Sequence, residues 1–228
     1  MDSVYTIKTI ARIQSDFPEK FGIPRQSGLI QELKAKIIFE PEYRNPDALK
    51  GLEGYSHIWL IWGFSKAVRK HWSPTVRPPR LGGNQRMGVF ATRSPFRPNP
   101  LGLSLVRLDG IEPTEESGSI LHVSGADLMD GTPIFDIKPY LPYVESYPDA
   151  CGGFGTAKKD YRLDVDCPSA YFEQIPPEHR DALLAILAQD PRPSYQQDPS
   201  RIYGMKYAMM NVKFYVEGKT LHVCGIEI

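Results

Sequence analysis

Met87-Gly-Val-Phe-Ala-Thr-Arg-Ser-Pro-Phe-Arg-Pro-Asn-Pro-Leu-Gly-Leu-Ser-Leu-Val-Arg107 decides how this chain is read. Gly88–Thr92 has strand-like composition, Arg93–Pro100 interrupts it, and the strand-like run resumes from Leu101 to Leu108. Pro95, Pro98 and Pro100 each fix φ, remove an N–H and push the preceding residue toward extended backbone. A loop stiffened in this way loses little entropy when it binds something. Arg93 and Arg97 sit on it, and each guanidinium offers five donors in a planar fork suited to carboxylate or phosphate. Two readings stand: a proline-braced connection with two solvated arginines, or a rigid anion-binding loop.

The surrounding charge sharpens the choice. Between Gly54 and Leu108 there is no Asp or Glu, yet Lys66, Arg69, Lys70, Arg77, Arg80, Arg86, Arg93, Arg97 and Arg107 all fall there, nine cations in all. The whole chain carries 27 of each sign, so the remainder holds 18 cations against 27 anions. A segregated basic stretch attracts anionic partners if the segregation survives folding. The competing reading is that acids from elsewhere fold back onto these arginines.

A chain of 228 residues allows one large domain, or one domain with a small appendage. Its 21 prolines favour β structure with shaped loops over long helices. The start Met1-Asp-Ser-Val-Tyr-Thr lacks the basic start and apolar core of a signal peptide, and no apolar run approaches bilayer-spanning length. Cys151, Cys167 and Cys224 are odd in number and lack metal spacing, which points to a reducing compartment without a disulfide framework. The expectation is a soluble cytoplasmic protein without a metal.

Residues 3–13 are β-branched and aromatic and read as a first strand. Phe21–Gly28 is a loop punctuated by Gly22, Pro24 and Gly28, with Arg25 and Gln26 partly aimed by the proline. Lys34–Phe39 reads as a second strand, and Asn45–Gly51 as a helical turn capped by Asn45 with Pro46 in its first position. Ser56–Phe64 is short and apolar on both faces, as a buried central strand would be. His57 opens it, either as a satisfied structural residue or as a catalyst. Arg69–Gly83 is a basic loop in which Trp72 is either a core plug or a stacking face for a base.

Leu101–Ile111 and Ile120–Gly125 read as neighbouring strands. Asp130-Gly131 marks a turn, and the alternation after it places Asp136, Lys138 and Tyr140 on one strand face. That face is either a wet exterior or a proton-handling surface. Cys151-Gly-Gly-Phe-Gly155 has no strand before it and no helix after it, so it reads as a loop rather than a nucleotide-binding turn. Pro176–Asp190 is the clear helix, with an apolar stripe of Leu183, Leu184, Ile186 and Leu187, and Tyr203–Ile228 closes the chain as a hairpin.

These residues alone support a mostly-β protein with a rigid cationic loop and an anionic ligand, nucleic acid or nucleotide, and they name no reaction. Five stretches in order add to this: Pro24-Arg-Gln26, Ser56-His-Ile-Trp59, Arg77-Pro-Pro-Arg80, Gly88–Pro100 and Asp130–Tyr140. Together they resemble the TsaA-like family of tRNA methyltransferases, densely over residues 3–143. Leu187–Pro193 is similar to that family's bacterial C-terminal extension. The resemblance implies a mainly β fold: a small antiparallel β-barrel over residues 1–143 and a small α+β extension over residues 144–228. It further implies a cytoplasmic homodimer that uses S-adenosylmethionine to methylate N6 of N6-threonylcarbamoyladenosine at position 37, in the tRNA anticodon loop.

By matching motifs, the resemblance implies cofactor contacts at Arg25, Gln26, Ser27, Gly28, Ser65, Lys66, Arg93, Leu103, Ser124, Gly125, Ala126 and Asp127. The acceptor nitrogen carries a carbonyl substituent, so its proton is acidic and its lone pair weak, and a base or a stabilising cation helps. Asp136, Lys138 and Tyr140 are the candidates, with His57 in reserve. Arg77, Arg80 and Arg97 are candidates for anticodon-loop phosphates, Arg93 or Arg97 for the threonyl carboxylate, and Phe96 or Trp72 for stacking on an extruded base. The rival reading is a non-catalytic RNA- or nucleotide-binding barrel that needs the arginines but not the Asp136–Tyr140 face. A methyltransferase acting on another substrate fits the same cofactor residues.

Overall fold

The computed structural model describes residues 4–67, 71–78, 85–156, 160–193 and 198–228. In chain order the strands are β1 (Ala11–Ser15), β2 (Lys34–Phe39), β3 (His57–Gly63), β4 (Thr75–Val76), β5 (Met87–Gly88) and β6 (Leu101–Thr114). They continue as β7 (Gly118–Ser124), β8 (Pro133–Pro139), β9 (Asp164–Asp166), β10 (Tyr203–Tyr207), β11 (Met210–Glu217) and β12 (Thr220–Glu227). Six of them close into an antiparallel barrel in the order β1-β2-β7-β6-β3-β8. Strands β4 and β5 form a separate two-stranded ribbon, and β10-β11-β12-β9 a second sheet.

Alternation builds the barrel. Along β3, Ile58, Leu60 and Trp62 point inward and are buried, while His57, Trp59 and Ile61 stay half-covered outside. Ile13, Ile37, Val106, Leu121, Val123 and Ile134 complete the interior from the other five strands. The apolar outer residues of β3 therefore do not make it a two-sided buried strand, as its composition suggests. Closure into a small barrel buries one face of each strand only, and the loops half-cover the other.

The second sheet has its own core. Helix α3 (Arg180–Ala188) lays Ala182, Leu183, Ile186 and Leu187 against Val212, Phe214 and Leu221. Ala182, not Leu184, completes the buried stripe, since positions 182, 183, 186 and 187 share one helix face. Two further short helices precede α3 in the chain: α1 (Pro142–Glu145), directly after β8, and α2 (Ser169–Phe172), which packs near β12. Phe17, Ile30 and Leu33, from the connection between β1 and β2, belong to this second core and not to the barrel's. The packing thus crosses the sequence boundary at residue 143.

Two local expectations change. Residues 4–10 are not strand; β8 pairs with β1 only from Ala11, and Val4, Tyr5 and Ile7 lie exposed. Residues Val89–Ala91 form a short 3-10 turn that follows β5 rather than extending it, with Val89 buried and Thr92 tied back to the Val89 carbonyl. Asn45 caps its turn as expected, accepting from the Asp47 N–H at 3.0 Å, but the turn is 3-10.

Candidate active site

The site gathers at one mouth of the barrel, where β3 ends, β6 begins and β7 stops. Beyond the last β6–β7 pair, Arg107 opposite Ser124, the edge of β6 is taken over by the β1–β2 connection. There the Leu105 N–H donates to Ser27 Oγ at 3.1 Å. Gly28 N–H donates to the Gly125 carbonyl at 2.8 Å, and Gly125 N–H to the Leu33 carbonyl at 2.9 Å. Gly125 has φ +79°, and a Cβ on it would stand 3.3 Å from the Gly28 Cα, so two backbones meet where no side chain fits.

Arg93 bridges into this junction from the proline-rich loop. Its Nη1 donates to Gln26 Oε1, and its charge acts on Asp127. Asp127 is in turn the end of a buried chain: Trp62 Nε1 donates to Ser104 Oγ at 2.9 Å, and Ser104 Oγ donates to Asp127 Oδ1 at 2.6 Å. Burial pushes the Asp127 carboxyl above the usual range, against the pull of Ser104, the Arg93 charge and the Ser27 backbone. Of the residues expected to contact a cofactor, Gln26, Ser27, Gly28, Arg93, Gly125 and Asp127 are brought together here. Arg25 is exposed beside them, and Ala126 is buried in the barrel core.

Ser124 is bonded toward Asp109 and Lys34. It is buried, its hydroxyl donates to Asp109, and Lys34 Nζ donates to it at 2.7 Å. Asp109 is desolvated, yet the hydrogen bonds from Ser124 and Lys34 and the charges of Lys34 and Arg107 outweigh this and hold its carboxyl below the usual range. Leu103 stands 50% exposed on the outer face of β6. Ser65 and Lys66 are exposed in the turn after β3, which Phe64 N–H ties to the Pro100 carbonyl at 2.9 Å.

The four proton-handling candidates divide into two pairs. Asp136 lies opposite Ile61, which lies opposite Leu103, so it stands two strand spacings, roughly 10 Å, from Leu103 on the outer face. Lys138 pairs with it at 3.0 Å, both side chains on the outside of the barrel. Tyr140 and His57 sit four residues further along, about 13 Å away. Tyr140 lies edge-on to His57 and Trp59, with ring centroids 6.3 and 6.1 Å away. His57 Nδ1 is 2.9 Å from Ser56 Oγ, and Trp59 Nε1 donates to Glu145 Oε1 at 2.9 Å.

Among the described residues, only one acid pairs with the basic stretch. Among the described residues, Arg107 pairs with Asp109 at 3.4 Å, while no ion pair reaches Lys66, Arg77, Arg86, Arg93 or Arg97. Arg97 turns one donor onto the Thr92 carbonyl at 3.0 Å and so braces its own loop. Arg77 is exposed at the end of β4, and Arg80 lies outside the described residues. The described residues contain no cluster of His, Cys, Asp or Glu able to hold a metal ion, and no helix long and apolar enough to cross a membrane. The three cysteines are free.

Sequence reasoning missed Ser104, Trp62, Lys34, Asp109 and Glu145. Ser104 left a readable trace, a lone hydroxyl within the apolar run Leu101–Val106. The others had none, because their roles depend on partners far along the chain.

Comparison with known proteins agrees with this architecture. The tRNA-methyltransferase O N-terminal domain matches residues 12–146, and the TrmO C-terminal domain matches residues 165–228. The chain is 39% identical to the tRNA (adenine(37)-N6)-methyltransferase of Escherichia coli strain K12, over 99% of both chains. It is 40% identical to a Pseudomonas aeruginosa protein named as an S-adenosylmethionine-dependent methyltransferase, over 92% of each. A crystal structure of TrmO from Pseudomonas aeruginosa superposes with a TM-score of 0.78 at 32% identity, covering 99% of this chain and all of that one.

Proposed function

The chain belongs to the tRNA-methyltransferase O family, and from that premise we propose how its residues divide the work of a tRNA (adenine(37)-N6)-methyltransferase. The cofactor is S-adenosylmethionine, held at the barrel mouth by the Arg25–Gly28 loop, Arg93, Leu103 and the Gly125–Asp127 segment. The donor set suits it. The Arg93 guanidinium suits a carboxylate, the half-buried Asp127 suits hydroxyls, and the exposed Leu103 offers an apolar face to adenine. Bound there, S-adenosylmethionine supplies a methyl sulfonium that needs no electrophilic activation.

The protein's own task is alignment and proton handling. Holding the acceptor nitrogen in line with the methyl carbon is proximity catalysis. The acceptor is N6 of N6-threonylcarbamoyladenosine, whose carbonyl substituent makes the N6 proton acidic. Asp136 takes that proton while Lys138, paired with it, stabilises the charge left on the carbamoyl group. Arg97 or Arg93 holds the threonyl carboxylate, and Arg77 meets anticodon-loop phosphates. Tyr140 and His57 line the far end of the same face. The enzyme works as a cytoplasmic homodimer.

The observation that carries this reading is Arg93 donating from the rigid loop to Gln26, two residues from the Gly28–Gly125 contact, with its charge acting on Asp127. Titration calorimetry with S-adenosylmethionine tests it. Wild-type protein is expected to bind saturably, and Arg93→Ala to lose at least ~10-fold in affinity. Transfer to threonylcarbamoylated tRNA then follows. A well-folded wild-type protein that binds no S-adenosylmethionine, with or without tRNA, overturns the reading in favour of an RNA-binding barrel.

A further inference from the structure

We propose that Trp72 and Phe90 form a platform on which an unpaired base of the tRNA anticodon loop stacks; this rests on the tRNA reading above. Trp72 is no core plug: it is 52% exposed, and Phe90 is 73% exposed. Their rings lie 6.4 Å apart, centroid to centroid, and only 28° from parallel. Two large aromatic faces are thus stacked on each other and open to solvent, an arrangement that hydration disfavours unless something covers it.

The platform is held rigidly. Beside Phe90, Val89 is buried, and its N–H donates to the Pro74 carbonyl at 2.9 Å. Near Trp72, Ser73 Oγ donates to the Thr75 carbonyl at 2.8 Å. The β4–β5 ribbon joins the two sides, with Thr75 opposite Gly88 and Val76 opposite Met87. Continuing that register places Arg77 opposite Arg86, and Arg86 Nη1 reaches Thr75 Oγ1 at 3.2 Å. Neither arginine has an ion-pair partner among the described residues, and the segment from Gly54 to Leu108 has no carboxylate.

That charge selects the occupant. Open π-faces beside unpaired guanidinium groups fit a single-stranded nucleic acid, whose bases stack while its phosphates meet the arginines. An apolar peptide would leave those cations uncompensated; a second copy of this chain, acidic outside this stretch, is the occupant that the light-scattering arm below tests. Phe90 is three residues from Arg93, so their Cα atoms are at most roughly 11 Å apart. A base on the platform is therefore a near neighbour of the base presented to the cofactor, and holding it helps to keep the loop unstacked.

The test measures affinity for a synthetic anticodon stem–loop RNA, without turnover, in wild type, Trp72→Ala, Phe90→Ala and Trp72→Phe. Each alanine variant is expected to bind about 5- to 100-fold more weakly. The salt slope and S-adenosylmethionine affinity should stay unchanged, because no phosphate contact is lost. Trp72→Phe should stay within about twofold, since it keeps a stacking ring. Unchanged RNA affinity in both alanine variants overturns the platform. So does a loss in Trp72→Phe as large as in Trp72→Ala, or an alanine variant whose oligomeric state changes in light scattering. Wild type that binds RNA through the two rings but transfers no methyl supports the platform while removing the methyltransferase reading.

Discussion

Asp127 and Asp109 flank the end of one strand, and their surroundings push their carboxyl groups in opposite directions. Burial raises Asp127, so the folded protein keeps a proton that the unfolded chain has already released near pH 3.9. Stability therefore falls as pH rises from about 3.9 through the raised value, and stays lower above it. Asp109 is held low by Ser124, Lys34 and Arg107, so its contribution is complete above about pH 3.9 and is lost as pH falls through its depressed value. Urea melts between pH 3 and 7 separate the two. Asp127→Asn should abolish the loss on raising pH. Asp109→Asn should abolish the loss on acidification and cost on the order of 1 kcal/mol at neutral pH, since two donors lose a charged acceptor. Sequence did not single out Asp109, and it named Asp127 only as a cofactor contact that the resemblance implied; neither shift was legible, because each carboxyl owes its environment to groups far along the chain.

At the scale of the element, β8 poses the sharpest question. Its alternation was legible, and it does place Asp136 and Lys138 on one outer face, opposite Ile61 and Trp59. A bulge between Ile61 and Trp62 shifts the register at the mouth, and Phe135 covers Gly63 there, so close that a Cβ on Gly63 would stand 2.7 Å from the ring. Sequence had no signal for that bulge. If Asp136 and Lys138 handle the acceptor proton, Asp136→Ala and Lys138→Ala should each lower kcat by at least ~100-fold while S-adenosylmethionine affinity holds. Undiminished turnover would return this face to the solvent. The proline-rich loop was read as rigid from its three prolines, and the structure adds the cause of its shape: Thr92 and Ser94 hydroxyls bond within it, and Arg97 clamps the Thr92 carbonyl.

The whole molecule explains why the C-terminal part matters to a site it does not line. The connection that carries Arg25–Gly28 is anchored in the second core through Phe17, Phe21, Ile23 and Ile30. At Gly22, with φ +94°, a Cβ would stand 2.4 Å from the Sδ of buried Met205 on β10. Gly22→Ala should cost about 1–3 kcal/mol in thermal melts and weaken S-adenosylmethionine binding beyond that loss, because the loop must leave its seat. A variant with full affinity would uncouple the two parts. Behind the same loop, Ile186, Asp190 and Arg192 line a cleft of about 60 Å³ with Arg25. There Asp190 and Arg192 form a two-pronged ion pair at 2.8 and 2.9 Å. By itself the sequence determined what is local: the strands whose residues alternate, the stiff loop, the acid-free basic stretch and the helix. Each follows from backbone restriction or from the spacing of neighbours along the chain. The tertiary structure alone decided that Gln26, Arg93, Ser104 and Asp127 meet, and that a loop of the barrel is held by the second core. Barrel closure sets the register between strands a hundred residues apart, and no pattern within one strand encodes that.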